Sequence, residues 1–150
     1  MIQRKQSIWL ALAATISLLC FVLPYGLHQS TTEGSTSISD TILTAKSDIW
    51  SAVLVSISAF LSLIIIFLYK NRGLQMKLIM LNSLCYIGTA VYFYLNASNA
   101  SLGNKIAIGL VGSQLYIGLL LPLLSSFLLA LAFIGVKKDD ELVKSVDRLR

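Results

Sequence analysis

Charge is what this sequence has least of. Asp, Glu, Lys and Arg make up 13% of its 150 residues, against about 25% in soluble domains. Hydrophobic residues take 56% and the mean hydropathy is +0.78, so the water-soluble class is excluded. Cysteine is nearly absent too. Cys20 and Cys85 both fall in apolar runs, where a thiol behaves as a small hydrophobe and makes neither a zinc site nor a disulfide framework. The chain has one histidine, His28, at the end of an apolar run, where a solvated interfacial role outweighs that of a ligand or base. Acid–base, metal-assisted or nucleophilic catalysis needs titratable groups clustered in a shielded site. No such cluster exists, so no enzyme, catalytic residue, metal ligand or cofactor is expected.

Long segments without charge are what is present. No Asp, Glu, Lys or Arg occurs in residues 8–27, 49–69, 78–104 or 106–136, and each segment is long enough for the roughly 20 residues that cross about 30 Å of hydrocarbon. The fold expected is therefore an all-α membrane protein, an antiparallel four-helix transmembrane bundle forming a single domain, residues 1–150. The spans are placed at residues 8–27, 49–69, 78–95 and 115–136. Arg4 and Lys5 before the first run resemble the start of a signal peptide. No small-x-small cleavage site follows, however, and the segment is read as an anchor. The last run would be about 46 Å long as one helix, so residues 106–113, weakened by Gly109 and Gly112, are placed outside the span. Pro122 is expected to kink it.

Basic residues set the orientation. Ten of the twelve Lys and Arg flank the first span, the turn between the second and third, or the tail, leaving only Lys46 and Lys105 on the other side. Retention of positive charge in the cytoplasm then puts both termini inside. Trp9, Tyr25, Trp50, Tyr69, Tyr92, Tyr94 and Tyr116 fall near span ends, as interfacial aromatics do, and Tyr86 alone lies deep. The first outer loop, His28 to Asp48, reads as a solvated connector in which Ser47 and Asp48 cap the next helix. Asn71 and Gly73 mark the inner turn as a tight hairpin.

No ionisable residue lies inside the spans, and pumps and proton-coupled carriers usually keep one there. The polar residues inside are hydroxyls and one carboxamide: Ser51, Ser56, Ser58 and Ser62 in the second span, and Asn82, Ser83, Tyr86 and Thr89 in the third. Ser58 and Ser62 are spaced as a small-xxx-small pair, as are Ala13 and Ser17, which favours helix packing over a conduction path. Asn82 is the candidate intramembrane polar contact, because a buried carboxamide wants partners for donor and acceptor alike. Asn96-Ala-Ser98 and Asn99-Ala-Ser101 fit a glycosylation pattern but read as a polar turn.

The tail, residues 137–150, has the marks of a short cytoplasmic amphipathic helix, with acids first and Arg148 and Arg150 last. Leu142, Val146 and Leu149 recur at helical spacing with Val143 beside them. With five basic and four acidic residues, the stripe suits a protein surface better than anionic headgroups. Leu142, Val143, Val146, Leu149 and Arg148 are the candidate partner-binding residues.

The opening Met1–Leu10 (MIQRKQSIWL) and the closing Lys137–Arg150 (KKDDELVKSVDRLR) together resemble a family of uncharacterised small four-span inner-membrane proteins, a domain of unknown function, from one phylum of Gram-negative bacteria. The resemblance runs the whole length and implies a bacterial inner membrane; it carries over no functional residue. The expected function is a non-enzymatic accessory or structural subunit of an inner-membrane complex, of the kind concerned with envelope biogenesis or protein export. The alternative is a small transporter or channel for an uncharged solute. The partners expected are the lipid bilayer and membrane proteins, with a homo-oligomer compatible and nucleic acid excluded, since the net charge of +5 is sorted by loop rather than gathered in a patch.

Overall fold

The computed structural model describes residues 3–31, 38–69, 71–99, 104–111 and 114–148. Its helices are α1 (Gln3–Leu18), α2 (Ile49–Phe67), α3 (Arg72–Ala97) and α4 (Leu120–Arg148), with a 3-10 turn, Leu19–Phe21, continuing α1. Each helix packs against two others, in the cyclic order α1, α2, α3, α4. A small sheet accompanies them: β1 (Gly26–Thr31), β2 (Ile38–Leu43) and β3 (Asn104–Ile106), in the order β2-β1-β3 with antiparallel pairing. A separate hairpin joins β4 (Gly109–Val111) to β5 (Gln114–Tyr116).

The interior falls into two apolar clusters. Leu10, Ala13, Ile65, Ile79, Tyr86, Leu128, Leu129, Ala132 and Val136 form one. Cys20, Tyr25, Leu43, Ala45, Val55, Phe93, Ala97 and Leu121 form the other, nearer the sheet. Between them, on all four helices, lie buried polar residues: Ser17, Ser58, Ser62, Asn82, Thr89 and Ser125. The two cysteines are free, Cys20 buried and Cys85 half-buried.

Several local features depart from what the sequence suggests. The strands occupy ground read as span or loop: Gly26 and Leu27 pair with Leu43 and Ile42 on β2 and with Ile106 and Lys105 on β3. A charge-free run says only that a segment tolerates burial, and here its last residues are buried by strand pairing. Within His28–Asp48, read as a plain connector, β1 and β2 pair antiparallel on either side of residues 32–37, which lie outside the described residues. Tyr25 and Tyr116 are buried within the protein, and the Tyr25 ring stacks on Phe93 with centroids 4.3 Å apart. Trp50 and Tyr69 stay exposed.

Pro122 introduces no mid-helix break, because α4 begins at Leu120 and places it in the first turn, where no intrahelical N–H bond is due. Residues 115–116, placed in the fourth span by the run of apolar residues, belong to β5. Asp48 takes the N-cap position of α2 but makes no side-chain cap bond, since its carboxylate accepts from the Asn96 carboxamide instead. The tail is not a separate helix: α4 runs unbroken from Leu120 to Arg148.

Gly118 holds the junction of α1 and α4. Its N–H donates to the Pro24 carbonyl at 2.9 Å, and a Cβ there would stand 2.7 Å from the Leu23 carbonyl oxygen and 2.9 Å from Pro24 backbone atoms. Only glycine allows the two backbones this approach. Gly118→Ala should lower stability by about 1–3 kcal/mol, the usual cost of overpacking, read as a lower midpoint of thermal unfolding in detergent. Gly88→Ala, where a Cβ meets nothing within 4 Å, should leave the midpoint unchanged or raised.

Candidate functional site

The polar layer between the two cores is the feature whose chemistry departs most from its surroundings. Ser58 and Ser62 are one helical turn apart on α2, and Asn82 and Tyr86 are one turn apart on α3, so each pair projects from one face. All four are within 1% of full burial. The Asn82 amide donates to Ser62 Oγ at 2.7 Å. Ser62 in turn donates to the Ser58 carbonyl at 3.0 Å, and Ser58 donates to the carbonyls of Leu54 and Val55.

The Tyr86 hydroxyl sits where three helices converge. It lies 3.0 Å from Ser62 Oγ, 3.3 Å from the Ser58 carbonyl and 3.5 Å from the Ala13 carbonyl of α1. Ser125 of α4 donates to that same Ala13 carbonyl at 3.2 Å. One backbone acceptor and one phenol thus join all four helices. Ser17 and Thr89 close the layer by donating to carbonyls of their own helices. Within this layer Asn82 Oδ1 is buried and has no hydrogen-bond partner.

A second polar chain lies near the sheet. His28 Nδ1 is 2.7 Å from Asn104 Oδ1; the Asn104 amide donates to the Asn96 carbonyl at 2.9 Å and to its Oδ1 at 3.0 Å; the Asn96 amide donates to Asp48. The carboxylate can only accept, which fixes the direction of every bond and puts the hydrogen on His28 Nδ1. The chain ties β1 and β3 to the end of α3 and the start of α2. Asn96, first residue of a glycosylation pattern, lies inside α3 with its carboxamide bonded on both sides.

At the other end the Arg72 guanidinium donates to the Asp139 carbonyl at 3.0 Å, and Gln75 donates to the Ile65 carbonyl at 3.3 Å. Leu142 and Val143 are exposed there, 57% and 44%. Val146 and Arg148 belong to α4, with side chains outside the described set, and Leu149 lies outside the described residues. Among the described residues no three of His, Cys, Asp and Glu gather in a way that would hold a metal. Sequence reasoning singled out Asn82 and the α2 serines and marked Ala13 for close packing, but not the Ala13 carbonyl as the acceptor of Ser125, nor the His28–Asp48 chain. A backbone acceptor has no sequence signal, and the chain joins residues up to 76 apart.

The outer surface of the helices completes the description. Phe60, Phe67, Leu84, Leu95 and Phe127 are all at least 60% exposed, a continuous apolar exterior of a kind that soluble monomers do not carry. Three helices, Ile49–Phe67, Arg72–Ala97 and the Leu120–Val143 part of α4, are long and apolar enough to cross a membrane, and Ser7–Phe21 is a shorter apolar helix. The molecule is a membrane protein. The chain belongs to the family described as Domain of unknown function (DUF4293), whose model matches residues 2–149. No curated protein and no solved structure matches it.

Ser62→Ala should remove the acceptor for Asn82 and cost about 1–3 kcal/mol, the penalty for a buried donor left unpaired. The double variant Ser62→Ala with Asn82→Leu removes both ends and should regain most of that loss. Thermal unfolding of the four members of the cycle in one detergent measures the coupling, and additive effects would show that the bond contributes nothing.

Proposed function

We propose that this chain crosses a bacterial inner membrane four times as an antiparallel bundle, with both termini cytoplasmic, and acts as a non-enzymatic accessory or structural subunit of a complex there. Envelope biogenesis or protein export is the kind of process it serves. The observation that carries this reading is a contrast between inside and outside. The interior polar groups bond to one another and to helix carbonyls, as in helices held together in lipid. The C-terminal part of α4, by contrast, continues past the packed core with Leu142 and Val143 exposed. At 29 residues α4 is about 43 Å long, roughly 13 Å more than the hydrocarbon requires. That surplus is a cytoplasmic arm.

The first span deserves its own support. From Ser7 to Phe21 the helix and its 3-10 continuation are apolar, about 24 Å at their respective rises. Val22–Tyr25 covers the remaining few ångströms of hydrocarbon without borrowing from β1. Under this reading the sheet and the β4–β5 hairpin lie in the periplasm, and the sequence's alternate basic-rich and basic-poor connections follow the retention of positive charge inside.

Carriage of a small uncharged solute is the second reading, favoured by one atom, the unpartnered Asn82 Oδ1. Asn82→Leu separates the two: a subunit keeps its fold and its partner, while a carrier loses uptake.

Two measurements check the proposal. With Cys20 and Cys85 replaced by Ala, a single cysteine at Lys46 or Lys105 should react with a membrane-impermeant maleimide in cells with a permeabilised outer membrane. One at Lys137 should react only after the inner membrane is opened; the reverse pattern overturns the orientation. A photo-crosslinking residue in place of Leu142 or Val143 should give a discrete protein adduct in living cells, identified by mass spectrometry, whereas one at Phe60 should give lipid adducts only. Recovery of the monomer alone in mild detergents, with no tail adduct, would count decisively against a subunit role.

A further inference from the structure

Where α2 ends and α3 begins, the turn and the C-terminal part of α4 wall an open groove of about 780 Å³. Tyr69, Asn71, Arg72 and Leu74 line one side, Asp140 and Val143 the other. Its level follows from the helix ends. Phe67 closes one candidate span and Arg72 opens the next, so on the four-span reading, on which this inference rests, the groove lies among the inner headgroups.

The lining has two characters. Leu74 and Val143 are apolar and nearly half exposed, 47% and 44%, which suits the ester and upper acyl region of a lipid. Among the described residues the polar part carries one charge of each sign, Arg72 from α3 and Asp140 from α4. Arg72 is already positioned, since one of its five N–H donors holds the Asp139 carbonyl at 3.0 Å. Asn71, the N-cap of α3, makes no side-chain cap bond, and the first turn of a helix offers N–H donors to phosphate. A simple anion entering the groove meets the Asp140 carboxylate, and a simple cation meets Arg72. A ligand bearing both signs a few bonds apart complements both.

We propose that this groove seats the headgroup of a zwitterionic phospholipid that carries a primary amine. The phosphate lies on the Arg72 guanidinium and the first turn of α3, and the ammonium lies on the Asp140 carboxylate. The acyl chains leave past Leu74 and Val143. A primary ammonium brings three N–H donors to the carboxylate, whereas a quaternary one brings none, so choline headgroups fit less well. An anionic glycerol headgroup lacks the cation altogether.

The test uses the full chain in detergent, exposed to equal amounts of phosphatidylethanolamine, phosphatidylglycerol and phosphatidylcholine and examined by native mass spectrometry. The amine lipid should be retained about fivefold or more over each of the others, a preference of the size that one charge-assisted contact gives. Asp140→Asn should abolish the preference over phosphatidylglycerol while lipid binding persists. Gly73→Leu should reduce all bound lipid by filling the groove from its rim. A Cβ at Gly73 meets nothing within 4 Å, so this variant should fold, and an unchanged unfolding midpoint checks that it does. Equal retention of the three lipids, preference for the anionic one, variants that bind as the parent does, or a peptide held in the groove instead would each overturn the proposal. The maleimide pattern reports separately on the four-span reading, so a failure of one is distinguishable from a failure of the other.

Discussion

Hydrocarbon offers a polar group no water, and this constraint organises the interior. The Tyr86 hydroxyl, with one hydrogen to give, meets it among oxygens of α1 and α2, and the Ala13 carbonyl, bonded also by Ser125 of α4, is within its reach because α1 is built of small residues at that level. A larger side chain at Ala13 or Ser17 would move α1 away and strand the phenol. Close approach and polar satisfaction are therefore one requirement. The apolar clusters on either side then pack around helices whose spacing is already set.

The sheet end obeys the same constraint by other means. After the 3-10 turn the chain leaves α1 as Val22–Tyr25, and its backbone groups need partners. Tyr25 N–H donates to the Leu43 carbonyl, the Pro24 carbonyl accepts from Gly118, and the Cys20 carbonyl accepts from Ala45. Leu43 and Ala45 come from a connection that looked like solvated loop, and Gly118 from a stretch that looked like the start of the fourth span. The strands are thus the means by which the start of one helix and the end of another are closed without exposing orphaned backbone.

Helices were legible in the residues because a charge-free run long enough to span is a strong, local signal, and α2 starts where Ile49 was expected to start it. What escaped was non-local. β1 and β3 pair residues nearly eighty positions apart, and β3 has only three residues, too few for an alternation to register. Asp48 illustrates the same limit at one residue: as an acid before a helix it suggests a cap, but Asn96, far away in sequence, offers a charge-assisted bond that removes it from that duty. In the polar layer Asn82 was conspicuous because a carboxamide among aliphatics is rare, while Ser62 stood out only as half of a small-residue pair with Ser58, and the Ala13 carbonyl not as an acceptor at all.

The two ends of the molecule differ in how completely they are closed, and that difference bears on function. Near the sheet, Tyr25, Gly26, Asn104 and Tyr116 are all buried, and a chain of four side chains from His28 to Asp48 locks strands to helices. At the opposite end, among the described residues, Arg72 and Gln75 hold carbonyls across helices, and α4 runs on with exposed leucine and valine. Free helical extensions of this length are marginal in water unless something covers their apolar stripe. α4 escapes part of that cost because it is nucleated by the packed helix before it, so the arm can persist without a partner and still present a surface to one. A rigid arm loses less entropy on docking than a flexible tail, which is the physical advantage of building the tail as a continuation of α4 rather than as a separate helix.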